Sequence, residues 1–281
     1  MKPAAGLIPL LLILFSCCSI EEEPVKPAGN DSAIAVYIQA YQENYEPDSF
    51  SLIMSEAENA YILMDPFDDE FLSAAEMETL HTKGNDLSAY ISIGTGEDWR
   101  SDFDELEPYL AEKQWGDWAG EYYVSRIEPG LVVIMKARID RAANLGFDWI
   151  EFDNMDWIFN EETREEYSLV SDEADGLAYI EELRVYAVSR GLKCMAKNRR
   201  TGAESFDGIT FESYTDDISW WAAEDLKVFL EEGKPGLIVH YGEWDRTSAF
   251  AAYESYMDSY GRALSFICEV RSEKGYIHFN D

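Results

Sequence analysis

LVVIMKARIDRAANLGFDWIEFDNMD, from Leu131 to Asp156, reads as one helix, one stop and one strand that runs into acid. Leu131, Ile134, Met135, Ile139 and Ala142 recur at helical spacing and share a face. Gly146 stands where a helix ends on a left-handed residue. Trp149-Ile150-Glu151-Phe152 is then a short, mostly apolar run, and Asp153-Asn154-Met155-Asp156 follows where it stops. This order is the repeating unit of a parallel sheet with helical connections.

The same order recurs outward in both directions. Ser73-Ala74-Ala75-Glu76 is a capping box that opens a helix, Gly84 follows it, and 87–93 (LSAYISI) leads to Gly94-Thr95-Gly96-Glu97-Asp98. A helix at 177–189 is closed by Gly191, and the strand at 193–196 ends in Lys197-Asn198. The run 208–211 ends in Glu212. A helix at about 220–230 stops at Gly233, before a strand at 237–241 and Gly242-Glu243-Trp244. A last helix at 247–260 stops at Gly261 and leads to 264–270 (LSFICEV). Upstream, 33–38 (AIAVYI) and 61–64 (YILM), ending at Asp65, complete eight strands.

Parallel strands joined by helices close into a barrel or open into a doubly wound sheet. No Gly-rich phosphate loop follows the first strand, and eight strands in about 250 residues favour closure. The expected fold is α/β, a (β/α)8 TIM-type barrel forming a single domain over 33–281.

The first residues read as an export signal. Lys2 supplies the positive start, and 7–15 (LIPLLLILF) is an apolar run too short to span a bilayer. Leu14-Phe15-Ser16-Cys17 resembles the bacterial lipobox, which makes 1–17 a lipoprotein signal peptide and Cys17 the lipidated residue. Lipidation at Cys18 and ordinary secretion are the alternatives. The stretch 18–32 is polar, carries two prolines and a glycine, and reads as a flexible tether. The expected location is therefore a bacterial membrane, facing the periplasm or the cell exterior, held through the N-terminal lipid alone.

With Lys+Arg 22 against Asp+Glu 56, the formal charge is −34, which excludes nucleic acid as a partner. Such a field attracts a cationic substrate, and a plain solvated acidic surface is the alternative. Cys194 and Cys268 each fall inside a strand and read as buried free thiols, not a disulfide. His81, His240 and His278 are scattered without ligand spacing, so no metal and no cofactor is expected.

In a parallel barrel the chemistry sits at the carboxyl ends of the strands. Those ends carry Asp65, Glu97 with Asp98, Asp153 with Asp156, Lys197 with Asn198, Glu212, and Glu243. Asp153 and Glu212 lie two strands apart, a separation able to place two carboxyl groups about 5 to 9 Å from one another across a glycosidic bond. Tyr37, Trp99, Trp157, Tyr214, Tyr241 and Trp244 accompany the ends and could stack on sugar rings, although core packing explains any one of them equally well. No G-x-S-x-G elbow, P-loop or H-E-x-x-H motif is present.

Ala89-Tyr90-Ile91-Ser92-Ile93-Gly94 with Glu97-Asp98-Trp99-Arg100, Gly146-Phe147-Asp148 leading to Phe152-Asp153-Asn154-Met155-Asp156, Lys197-Asn198, and Phe211-Glu212-Ser213 stand in an order that resembles the endo-α-1,4-polygalactosaminidases of glycoside hydrolase family 114. The resemblance covers the chain after the tether. It implies hydrolysis within α-1,4-linked galactosamine chains, a cationic amino sugar polymer as substrate, and Asp153 and Glu212 as the catalytic pair. Asp65, Glu97, Asp156, Lys197 and Asn198, with Tyr37, Trp99 and Tyr241, would then bind sugar. Family members often follow this glycine with Glu-Ala, where Thr95-Gly96 stands here, so one substrate contact is expected to differ. A glycan-binding protein without turnover and a hydrolase of another α-linked sugar are the competing readings.

Overall fold

A computed structural model describes residues 34–40, 48–67, 71–116, 118–198, 202–214, 229–241, 255, 264–269 and 276–278. Its strands are β1 (Val36–Ile38), β2 (Tyr61–Met64), β3 (Asp86–Ser92), β4 (Thr95–Glu97), β5 (Glu121–Tyr123), β6 (Trp149–Asp153), β7 (Lys193–Lys197), β8 (Gly208–Tyr214), β9 (Gly236–Tyr241), β10 (Leu264–Glu269) and β11 (Tyr276–His278). The helices are α1 (Asp48–Glu56), α2 (Ala74–Thr82), α3 (Phe103–Leu106), α4 (Pro129–Leu145), α5 (Glu161–Glu166) and α6 (Glu173–Ser189).

All eight expected strands are present. They pair in parallel in the order β1-β2-β3-β6-β7-β8-β9-β10, with β11 antiparallel to β10. The hydroxyl of Ser265 on β10 donates to the Ile34 carbonyl just before β1 at 2.7 Å, bringing the last parallel strand up to the first. The fold is a TIM-type barrel.

Alternation along each strand divides the core into two layers. Ile62, Met64, Leu87, Ala89, Ile91, Ile150, Phe152, Cys194, Ala196, Ile209 and Phe211 pack outward against helix residues such as Leu80, Met135, Ile139, Tyr179 and Leu183. Val36, Ile38, Tyr61, Leu63, Tyr90, Trp149, Met195, Leu237 and Val239 form a smaller cluster drawn from strands alone, which is the barrel interior. Each buried aliphatic or aromatic side chain in these layers is worth about 1.5–3 kcal/mol. Cys194 is a free thiol in the outer layer, and burial, with Asp207 adding to it, pushes its proton loss up to about 12.

The helices begin and end on the signals that mark them. Ser73 and Glu76 close the capping box of α2, and Gly146 ends α4 with φ of 92°, a left-handed conformation that costs a residue without Cβ little. On α4 the buried face includes Arg138 beside Leu131, Met135, Ile139 and Ala142, whereas Ile134 is only half-buried. Arg138 grips Asp102 through Nε and Nη2, both at 2.7 Å, and its Nη1 donates to the Ser92 carbonyl at 3.1 Å. A fully engaged guanidinium is thereby tolerated in an apolar layer.

Among the described residues six strands and α-helices were not expected: α1, α3, α5, β11, and the antiparallel pair β4–β5, whose segments are three residues each. The helix expected near 220–230 is described only from Phe229, and the one expected at 247–260 lies outside the described residues, as do the signal and the tether.

Candidate active site

Strand parity decides which side chains reach the mouth of the barrel. On β6, Ile150 and Phe152 face the helices, so Glu151 and Asp153 share the inward side with Trp149. Lys197 follows Met195 on β7 in the same way, and Thr210 and Glu212 alternate with Ile209 and Phe211 on β8. Glu151 is fully buried and accepts from the Thr210 hydroxyl at 2.6 Å, one layer below Asp153 and Glu212.

Lys197 joins the two expected catalytic carboxylates. Its Nζ lies 2.7 Å from Asp153 Oδ2 and 3.2 Å from Glu212 Oε1. Those two oxygens are therefore no more than 5.9 Å apart, the sum of 2.7 and 3.2 Å. Burial raises the Asp153 carboxyl above the ordinary carboxylate value, Lys197 pulls it down, and Glu212 adds to the rise. The Lys197 ammonium is also buried, which opposes its charge, but Asp153, Glu212 and Glu151 outweigh that and hold it above its usual range.

Two asparagines fix these carboxylates from the turns behind the strands. Asn154 and Asn198 are both left-handed, with φ of 62° and 51°, a conformation that asparagine adopts more readily than most residues. The Asn154 amide donates to Asp153 Oδ1 at 2.7 Å. Asn198 donates through Nδ2 to Glu212 Oε2 at 2.8 Å, and its Oδ1 accepts from the Glu212 backbone at 2.9 Å. Gly94 leaves the room the first turn needs: a Cβ there would stand 1.7 Å from the Asn154 carbonyl oxygen.

A second cation holds a second pair of acids. Arg100 donates through Nε and Nη2 to the two oxygens of Glu97, both at 2.9 Å, and through Nη2 to Asp65 Oδ2 at 2.6 Å. All three are buried. Asp65 is itself aimed by the Phe67 amide, which donates to its Oδ1 at 2.9 Å.

Between the two clusters stands Glu121, buried on β5. Asn154 Nδ2 donates to its Oε1 at 2.9 Å and also reaches Ser92 Oγ at 3.0 Å and Thr95 Oγ1 at 3.2 Å. The Thr95 hydroxyl donates to the same oxygen of Glu121. Burial pushes Glu121 up to about 7, the Thr95 bond opposes it, and the charges of Glu97 and Asp153 push further.

Asp65, Glu97, Asp153, Lys197, Asn198 and Glu212 are thus gathered into linked networks at one end of the sheet. Tyr37 has outer parity between Val36 and Ile38 and packs in the helix-facing layer. Trp99 is 55% exposed, and Asp156 is exposed at the start of the turn Asp156–Phe159. Trp157 is core, its indole nitrogen donating to the Gly94 carbonyl at 3.0 Å. The side chains of Tyr214 and Tyr241 lie outside the described residues, as do Cys17, Glu243 and Trp244. Among the described residues no group of three or more His, Cys, Asp or Glu is arranged to hold a metal ion.

Glu121 carries no signal in the sequence, because it is one acid among 56 and lies far from any barrel strand end. Arg100 and Asn154 stood within motifs quoted above, but nothing in their spacing showed what they would bind.

A parallel barrel with interlocked carboxylates at its strand ends is an architecture suited to glycosidic bond cleavage. The model of glycoside-hydrolase family GH114 matches residues 24–278, so the protein is a barrel glycoside hydrolase. It belongs to family GH114. Among solved structures it is similar to Ega3 of Aspergillus fumigatus in complex with galactosamine, at 20% identity over 88% of this chain and 95% of that one, with a TM-score of 0.65. It is also similar to the glycoside hydrolase domain of PelA from Pseudomonas aeruginosa, at 16% identity over 88% and 98% of the two chains, with a TM-score of 0.60. Those likenesses are of fold. An uncharacterised protein of Deinococcus radiodurans is 32% identical over 101 residues, 34% of this chain and 32% of that relative's length.

Proposed function

We propose that the protein cuts within chains of α-1,4-linked galactosamine-containing polysaccharide, with Asp153 as nucleophile and Glu212 as general acid and base. The observation that carries this reading is the single ammonium of Lys197 between the two carboxylates, which keeps the nearer oxygens within the 5.9 Å set by its contacts of 2.7 and 3.2 Å. Separations near 5 to 5.5 Å belong to retaining glycosidases, and inverting ones need about 6.5 to 9.5 Å. Both oxygens of Asp153 accept charge-stabilising bonds, as an anionic nucleophile requires. Glu212 has the longer contact with Lys197, 3.2 against 2.7 Å, so the ammonium stabilises its charge less, and it is the group assigned the proton for the leaving oxygen.

In the first step Asp153 attacks the anomeric carbon while Glu212 passes its proton to the departing glycosidic oxygen. In the second, Glu212 takes a proton from water, and that water releases the sugar from Asp153 with its configuration kept. The galactosamine bound to Ega3 supports an amino sugar as substrate.

Asp153→Asn and Glu212→Gln, each verified as folded, are expected to lower kcat on a galactosamine polymer at least roughly a thousandfold, about 4 kcal/mol of transition-state stabilisation. Full turnover by either variant would sink the assignment. Binding of the polymer by wild-type protein without release of reducing ends would replace it with a glycan-binding role.

The same proposal has the chain exported and held to a membrane by lipid on Cys17, with 18–32 as tether. Cys17→Ala is expected to move the protein from the membrane fraction to the soluble one. An unchanged distribution would remove Cys17 as the anchor.

A further inference from the structure

The carboxylates of the site outnumber its fixed cations, and the cations are already engaged. Asp65 and Glu97 share Arg100, while Asp153 and Glu212 share Lys197. Glu121 has neither. It lies directly across the β4–β5 ladder from Glu97, an opposition of like charges that disfavours both being ionised. Both bonds made to Glu121 come from neutral donors, Thr95 and Asn154, and both go to Oε1. Among the described residues Oε2 receives none, although the residue is only 5% exposed.

The groups that bear on it can be named element by element. Glu97 and Thr95 lie on β4, Arg100 in the turn after it, Ser92 and Tyr90 on β3, and Asp153 and Asn154 at the end of β6. Arg100 alone among these is a cation, and its Nε and Nη2 reach Glu97 and Asp65. A buried carboxylate with like charges on two sides takes its compensating charge from outside the protein. In the free protein a proton, held with a midpoint of about 7, supplies it.

We propose that Glu121 binds the ammonium of the amino sugar seated beside Asp153, releasing its own proton to solvent as the ammonium takes its place. No bond between heavy atoms changes: the carboxyl O–H gives its proton to water, and one cationic sugar enters. Asn154 links this exchange to the reacting carboxylate, because its side chain holds Glu121 while its amide holds Asp153. A neutral N-acetylated sugar offers no charge to exchange, so Glu121 separates amino from acetamido sugars. This inference rests on the galactosamine reading given above.

The test is a carbon-13 NMR titration of protein labelled at the glutamate carboxyls, with Glu121→Gln and Glu212→Gln assigning the two resonances and thermal melts verifying both folds. D-galactosamine is the probe and N-acetyl-D-galactosamine the neutral control. In free protein Glu121 is expected to titrate near 7, and saturation with galactosamine is expected to lower its midpoint by at least one pH unit, a tenfold change in proton affinity. N-acetylgalactosamine should leave the midpoint in place. A Glu212 resonance that responds to galactosamine while the Glu121 midpoint stays put overturns the inference and spares the substrate reading. An equal fall with both sugars overturns the ammonium contact, and silence of both resonances overturns the substrate reading together with this inference.

Discussion

Arg100 and Lys197 each stand between two buried carboxylates, yet they do different work. Arg100 spends Nε and Nη2 on the two oxygens of Glu97, both at 2.9 Å, and Nη2 again on Asp65 at 2.6 Å. Its partners come from the end of β2 and from β4, so it braces the inserted pair β4–β5 against the barrel. Lys197 is a point charge on β7 that reaches β6 at 2.7 Å and β8 at 3.2 Å. An ammonium holds its partners by charge more than by geometry, so either one can gain or lose a proton without dismantling the other contact. The contrast teaches that one cluster is built for shape and the other for titration.

The sharpest way to break that comparison is to remove each cation. Lys197→Met leaves Asp153 and Glu212 facing one another in a buried site, and stability at pH 8 is expected to fall by roughly 3–5 kcal/mol. Both carboxyls would then sit above their ordinary values, so the loss should be smallest at acid pH and grow as pH rises. Denaturant melts across pH measure it, and a pH-independent loss would mean that Lys197 acts through packing. Arg100→Lys keeps the charge and gives up the fork. It is expected to cost roughly 1–3 kcal/mol, with a raised KM and little change in pH profile. A shifted pH optimum in that variant would erase the distinction between the two clusters.

The effect that shows only as pH rises concerns Glu121, which has no cation. Its carboxyl sits at about 7 in the folded protein against an ordinary 4.5, so the native state keeps a proton that the unfolded chain releases. The stability this proton contributes is fully present below the ordinary value and is lost as pH rises through 7, on the order of 3 kcal/mol at most. Glu121→Gln should flatten that part of the stability curve and leave the protein more stable than wild type at pH 8. Identical curves would show that solvent reaches the carboxyl after all.

How much of this was legible beforehand follows from the two periods that strands and helices impose. A helix, a glycine and an apolar run were enough to locate eight parallel strands, because each signal is local. The acids at strand ends were equally visible: Asp65 and Asp153 occupy the ends where they were expected, whereas Glu212 falls inside β8, which runs on to Tyr214. Parity along a strand was also readable and puts Tyr37 on the outer side, since Val36 and Ile38 claim the inner one. What stayed hidden depends on contacts between distant segments. Thr95-Gly96-Glu97 is too short to announce a strand, and its partner Glu121-Tyr122-Tyr123 lies beyond an intervening helix and turn. Arg100 likewise finds its partners only when the end of β2 brings Asp65 to it beside Glu97 of β4.

Cys194 gives the barrel a clock. With its thiol buried and its proton loss displaced to about 12, a thiol reagent in neutral solution meets almost no reactive sulfur while β7 is in place. Modification must wait for the strand to leave its neighbours. Followed at that one cysteine by mass spectrometry, the reaction would report the frequency of a local excursion from the native state. Three residues along the same strand sits Lys197, so each such event also takes the shared ammonium away from its two acids. The working lifetime of the site is bounded by the residence time of a single strand.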